Sequence, residues 1–124
     1  MRIVEAVLDA SAIMAVFRAE RGRDLVRDLD QPWVSTVNLA EAANVMVRHG
    51  FDPNALDEIP FNISVFDRED ARETGRLLRL TRPQGLSLAD CACLALGRRL
   101  ELPVFTTDRI WAALDLGVEV VLIR

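Results

Sequence analysis

Apolar residues along this chain fall into short runs separated by longer stretches that repeat every three to four positions, the signature of strands alternating with helices. Residues 4–9, VEAVLD, read as a strand, followed by a helix over residues 10 to about 20. Residues 23–29 fit a second short helix. WVS at 33–35 is a short strand leading into the helix TVNLAEAANVMVRHG at 36–50, where His49 supplies a last-turn cation and Gly50 a C-terminal stop. That role accounts for the lone histidine without catalysis. DPNALDEIP places about one helical turn between prolines, and FNISVF at 61–66 alternates as a strand should. A helix follows over 68–80 and stops before TRPQG, where Pro83 and Gly85 mark a loop. LSLADCACLALG at 86–97 opens another helix, extending to about residue 100. PVFTT is a strand, DRIWAALDLG a short helix, and VEVVLI a last strand. Strands separated by helices favour a parallel sheet covered on both faces.

Composition narrows the class. The 124 residues fit one domain spanning 1–124, long enough to bury roughly two-thirds of the extended-chain surface. Hydrophobic residues make up 51% and charged residues 27%, as in a compact folded protein. The net charge of −4 gives no global basic field, so a nucleic-acid partner would need a local patch. No run of 18 apolar residues occurs, and Arg2 and Glu5 interrupt the N-terminal apolar stretch, so the expected location is the cytoplasm, without membrane contact. All 15 basic residues are arginine. The lack of lysine disfavours receiver domains and haloacid-dehalogenase-type phosphatases, which also gather aspartates at strand ends, and no phosphate-binding glycine motif is present.

Cys91 and Cys93, the only cysteines, point about 200° apart on a helix, so they cannot bridge each other. With a single remote histidine they do not make a zinc site either, and they read as core packing. The acids are more informative. Asp9 closes the first strand, Glu41 lies early in the helix after the second, Asp90 in the first turn of its helix, and Asp108 just after the PVFTT strand. Each has a purely structural reading. Asp9 and Asp108 suit helix N-caps, and Ser87 to Asp90 has capping-box spacing. Asn38 to Glu41 has that spacing too, although Ser35 or Thr36 is the more natural helix start. In an open parallel sheet, however, the carboxyl ends of the strands converge where strand order reverses. Carboxylates gathered there repel unless a cation neutralises them, and oxygen-only ligands suit Mg²⁺ or Mn²⁺.

Four blocks, LDASAIMAV, VSTVNLAEAANV, GLSLADCACLALG and LPVFTTDRIWAAL, resemble in order and spacing the PIN-domain ribonucleases, most closely the VapC toxins of VapBC toxin–antitoxin pairs. The resemblance extends over nearly the whole chain. It implies a three-layer α/β/α PIN-like fold around a five-stranded parallel sheet in the order 3-2-1-4-5. Asp9, Glu41, Asp90 and Asp108 match the family's catalytic acids. The implied metal ligands are Asp9, Asp90 and Asp108, with Glu41 acting through water or as proton acceptor. Ser11 and Thr106 match its supporting hydroxyl residues. The implied activity is Mg²⁺- or Mn²⁺-dependent endoribonuclease hydrolysis of RNA phosphodiesters, in which the cation supplies an activated water and stabilises phosphate charge. The implied partners are RNA, a VapB-like antitoxin and a second copy of the chain in a homodimer. A PIN nuclease of RNA processing, or an inactive PIN-like protein-binding module, is the alternative.

Two basic patches are candidates for RNA. Arg68, Arg72, Arg76 and Arg79 recur at helical spacing, but Glu69 and Glu73 flank them, and a solvated face of ion pairs is the preferred reading. Arg18, Arg21 and Arg23 lie just beyond the first helix, near the expected strand ends.

Overall fold

The computed structural model describes residues 2–124. Its five strands are β1 (Glu5–Leu8), β2 (Gln31–Ser35), β3 (Asn62–Ser64), β4 (Val104–Thr106) and β5 (Val120–Leu122). All pair in parallel, in the order β3-β2-β1-β4-β5. The helices are α1 (Ala10–Phe17), α2 (Arg23–Arg27), α3 (Thr36–Arg48), α4 (Arg68–Leu80) and α5 (Leu88–Leu100). Three 3₁₀ turns, Pro53–Glu58, Arg82–Gln84 and Arg109–Ala113, complete the chain. This is the expected α/β PIN-like architecture, with strand order reversing between β1 and β4.

Alternation within β1 divides the core. Ala6 and Leu8 join Val34 and Phe105 in one cluster with residues of α1, α2 and α3, while Val7 joins Val104 in a second with residues of α4 and α5. Burial on both sheet faces makes Ala6, Val7 and Leu8 a continuous apolar run, as parallel sheets require. Cys91 and Cys93 are fully buried free thiols in the second cluster, consistent with packing. Gly97 lets α5 lie close on β4, because a Cβ there would come within 2.5 Å of a Val104 methyl group.

Some elements are shorter than the sequence pattern suggests. β3 keeps only Asn62–Ser64 of the alternating run; it is an edge strand, and Val65 beyond it is 71% exposed. The helix read at 108–117 is the single 3₁₀ turn Arg109–Ala113, with Gly117 at a φ of +72° beyond it. The loop containing Pro83 tightens into the turn Arg82–Gln84, closed by Gly85 at a φ of +73°. Among the described residues, no helix is long and apolar enough to cross a membrane.

Candidate metal centre

Where β1 and β4 end, their chains are tied together by side chains. Asp9 follows β1 directly and caps α1: its Oδ1 accepts the Ala12 N–H at 2.8 Å and the Ser11 hydroxyl at 2.7 Å. Its Oδ2 accepts the hydroxyl of Thr106, the last residue of β4, at 2.6 Å. Thr106 Oγ1 in turn accepts the Asp108 N–H at 3.1 Å, and Ser11 Oγ accepts the Thr107 N–H at 3.0 Å. Ser11 and Thr106 therefore hold one carboxylate by both oxygens and lock the β4 exit against the β1 exit. Asp9 is only 5% exposed. Burial raises its pKa above the usual aspartate value and the Asp90 charge raises it further, against the lowering effect of its hydrogen bonds.

Asp90 reaches the same place from α5. Ser87 is the N-cap, and the reciprocal box is complete: Asp90 N–H donates to Ser87 Oγ at 3.1 Å, and Ser87 N–H donates to Asp90 Oδ2 at 2.9 Å. The capping reading is correct for Oδ2, and Oδ1 takes no part in it. Asp108 behaves alike, capping its 3₁₀ turn through Oδ1, which accepts the Ile110 N–H at 3.0 Å.

Glu41 projects from α3, whose N-cap is Ser35, with Ser35 Oγ accepting the Val37 N–H at 3.2 Å. Its pKa is raised by burial first, then by the charges of Asp90 and Asp9, while the Asn38 amide lowers it. Asn38, fully buried one turn earlier, also donates from Nδ2 to the Ala89 carbonyl at 2.9 Å. It ties α3 to the first turn of α5 and so holds Glu41 near Asp90. The sequence marks Asn38 only as an apparent capping residue, which it is not.

Asp9, Glu41, Asp90 and Asp108 line one cleft of about 510 Å³, together with Ser11. Among the described residues none of these four acids has an arginine or histidine nitrogen within 4 Å. Nor do any three acidic, thiol or imidazole side chains stand close enough to enclose one ion between them. The donor set nonetheless fits a hard cation. It is all oxygen, carries uncompensated negative charge, and Mg²⁺ is commonly held by one or two carboxylates with water and substrate phosphate completing its shell. Zinc or other thiol-seeking chemistry is not served here, because both cysteines are buried in the core and burial raises their thiol pKa values.

The arginines divide by position. Arg18 lines the acidic cleft, whereas Arg21 is exposed outside it and Arg23 lies 3.8 Å from Asp24. Arg68, Arg72, Arg76 and Arg79 are all exposed on α4 and none lines the cleft. Arg72 and Arg76 stand 3.4 and 3.2 Å from Glu69 and Glu73. Arg48, His49 and Arg124 do line the cleft and have no counterpart among the sequence-stretch patches. The legible signal was the spacing of Glu41, Val45, Arg48 and His49, which places all four on one helical face.

A family model described as PIN domain matches residues 6–116. Among solved structures, a toxin–antitoxin complex from Klebsiella pneumoniae is similar with a TM-score of 0.75 and 19% identity, over 96% of this chain and 98% of that one. VapC20 of Mycobacterium tuberculosis, a Sarcin-Ricin loop cleaving toxin, matches with a TM-score of 0.73 and 16% identity, over 92% and 98% of the two chains. VapBC-5 of Mycobacterium tuberculosis, a member of the VapBC family of toxin–antitoxin systems, matches with a TM-score of 0.64 and 28% identity, over 98% of each chain. No curated protein matches by sequence.

Proposed function

Because the chain belongs to the PIN domain family, we propose that it is a divalent-metal-dependent endoribonuclease and the toxin of a toxin–antitoxin pair. The observation that carries this reading is the cleft itself: four carboxylates at the sheet's switch point, without a cationic partner among the described residues. Such a site is completed from outside, by a cation together with a phosphate.

Asp9, Asp90 and Asp108 would hold Mg²⁺ or Mn²⁺, one or two of them directly and the rest through water, since among the described residues no three side chains enclose a single ion. When bound, the cation lowers the pKa of water and offsets charge on the phosphate oxygens. The remaining work falls to the chain. Asp9 is oriented in advance by three donors, so it loses little freedom on binding. Asp90 commits Oδ2 and Asp108 commits Oδ1 to a cap, and in each the other oxygen takes no part in the cap. Glu41, its proton affinity raised by burial and by its acidic neighbours, is suited to take the proton from the attacking water. Ser11 and Thr106 support Asp9 and do not themselves react.

The toxin role draws on the solved structures this chain resembles, among them a toxin–antitoxin complex, a Sarcin-Ricin loop cleaving toxin and a member of the VapBC family of toxin–antitoxin systems. A VapB-like antitoxin offering a basic side chain would neutralise the same acids and block the cleft. An RNA cleavage assay with Mg²⁺ or Mn²⁺, comparing wild type with Asp9→Asn and Asp90→Asn, tests the enzymatic reading. Metal-dependent cutting should disappear in both variants while circular dichroism stays native. Equal cutting by the variants would refute it.

A further inference from the structure

Helix α3 brings more than Glu41 into the cleft. Glu41, Val45, Arg48 and His49 all line it, at the i, i+4, i+7 and i+8 positions of one helical face. Arg48 lies seven positions beyond Glu41, about 10 Å along the axis at ~1.5 Å per residue. Arg48 and His49 therefore stand two turns away from the acid they share a face with, rather than among the acids.

The end of the helix that carries them is well fixed. Phe51 N–H donates to the Met46 carbonyl at 2.8 Å and Gly50 N–H to the Val47 carbonyl at 3.1 Å, with Gly50 at a φ of +81°. This double closure is a Schellman motif, which needs glycine's left-handed backbone at that point. Arg18, the C-cap residue of α1, lines the same cleft. Its acid neighbour is Glu20 at 4.0 Å, and Glu20 is also held by Arg124 at 3.3 Å. Arg48 has no carboxylate within 4 Å among the described residues.

Cations at a helix C-terminus offset the macrodipole, and that alone would explain Arg48 and His49 as helix furniture. It does not explain why cations from the ends of two helices, α1 and α3, border the one cleft whose floor is acidic. A polyanionic strand approaching those acids would be repelled except where a bound cation offset their charge. A neighbouring phosphate needs a cation displaced from the acids, and a guanidinium can grip it through two parallel hydrogen bonds.

Resting on the ribonuclease reading and deepening it, we propose that Arg48 and His49, with Arg18, form a phosphate clamp that holds the RNA backbone beside the scissile phosphate. The strand then enters the acidic floor from the C-terminal end of α3. These are positioning residues, and the α4 stripe lies outside their cleft.

The test is binding of a fluorescein-labelled random-sequence single-stranded RNA pool to metal-free Asp9→Asn protein over a salt series. Phosphate contacts carry no sequence information, so the pool suffices. Adding Arg48→Gln should weaken binding several-fold and reduce the slope of log K against log salt by about 0.7, the value for one phosphate contact on a single strand. Arg48→Lys should restore most of that slope. His49→Gln should weaken binding in the same direction. Arg2→Gln, which removes a charge ahead of β1, before the amino end of a strand whose carboxyl end meets the cleft, controls for net charge. In otherwise wild-type protein, Arg48→Gln should raise KM with little change in kcat.

An unchanged slope in Arg48→Gln, an equal loss in Arg2→Gln, a fall in kcat at constant KM, or no salt-dependent binding by Asp9→Asn protein would each overturn the clamp. Failure of the underlying reading is separable. Arg48-dependent binding by a protein that cuts no RNA removes the hydrolase and keeps the clamp. Metal-dependent cutting with an unchanged slope does the reverse.

Discussion

On the face built by α4 and α5, acids and arginines satisfy one another; in the cleft at the sheet's switch point, Asp9, Glu41, Asp90 and Asp108 have no cationic nitrogen within 4 Å among the described residues, although arginines stand farther along the same wall. Glu69 and Glu73 pair with Arg72 and Arg76, Glu73 also meets Arg98, and Asp70 lies 3.2 Å from Arg99, which donates onward to Ser64 Oγ at 2.7 Å. Asp67 caps α4 in a reciprocal box with Asp70, and those hydrogen bonds lower its pKa. In the cleft the directions reverse: burial and like charge raise Asp9 and Glu41. One residue type thus serves two ends. Neutralised within the chain, a carboxylate fastens the fold; left unneutralised, it costs stability that an external cation can return.

Substituting on the two sides should therefore have opposite consequences. Asp9→Asn keeps an N-cap and an acceptor for Ser11 and Ala12 while removing a buried charge. Cleavage should fall by at least about 100-fold, the upper end for loss of support at a metal site. The melting temperature of metal-free protein should hold or rise. Cleavage rates and thermal scans on the same preparation would show both, and a large fall in stability would erase the contrast between the two regions.

Adding the cation should strengthen the comparison. Folded-state pKa values above the ordinary 3.8 of Asp9 and 4.5 of Glu41 mean the native state binds protons more tightly than the unfolded chain there. The contribution of these groups is most favourable below those ordinary values and is lost as pH rises through the raised ones. Mn²⁺ at a hundred times its Kd should add about 2.7 kcal/mol at neutral pH. The gain should shrink towards pH 4.5, the ordinary glutamate value, where protons occupy the same oxygens. Melting curves with and without metal at several pH values check this; a metal effect independent of pH would place the ion elsewhere.

On the paired side the effects are smaller and purely structural. Asp70→Ala removes an 8%-exposed carboxylate that serves both the α4 cap and Arg99, and should cost about 1–2 kcal/mol in urea unfolding. Cleavage should persist. Glu69→Gln, whose partner Arg72 is exposed like itself, should cost no more than about 0.5 kcal/mol.

Much of this was legible in the residues. The strand order follows from strands alternating with helices once the four-block resemblance is noticed; Asp9, Glu41 and Asp90 stand out because they sit among small or apolar neighbours, and Asp108 because it ends an apolar strand. The capping reading of Asp90 was also correct, since one oxygen caps α5 while the side chain lines the cleft. What stayed hidden depends on contacts between distant segments. Arg18 is already a candidate from the sequence, but Arg48 and Arg124 come from distant parts of the chain and join it on the cleft wall only when α1, α3 and the residues after β5 are folded together. His49 was legible as a helix end, which it is, but its second position on the cleft wall needs the helix's rotation as well as its length. Asn38 matched a capping spacing; only the packing of α3 on α5 turns its amide towards Ala89. Element ends were least legible where exposure removes the penalty for stopping early, as at β3 and after Ala113.

The central claim is that the unpartnered acids hold a divalent cation. Calorimetric titration of Mn²⁺ into wild-type protein and into Asp90→Asn at neutral pH tests it most directly. Wild type should bind the ion, and Asp90→Asn at least about tenfold more weakly. Equal affinity in the two proteins, or RNA cleavage by wild type that continues in a metal chelator, would contradict it.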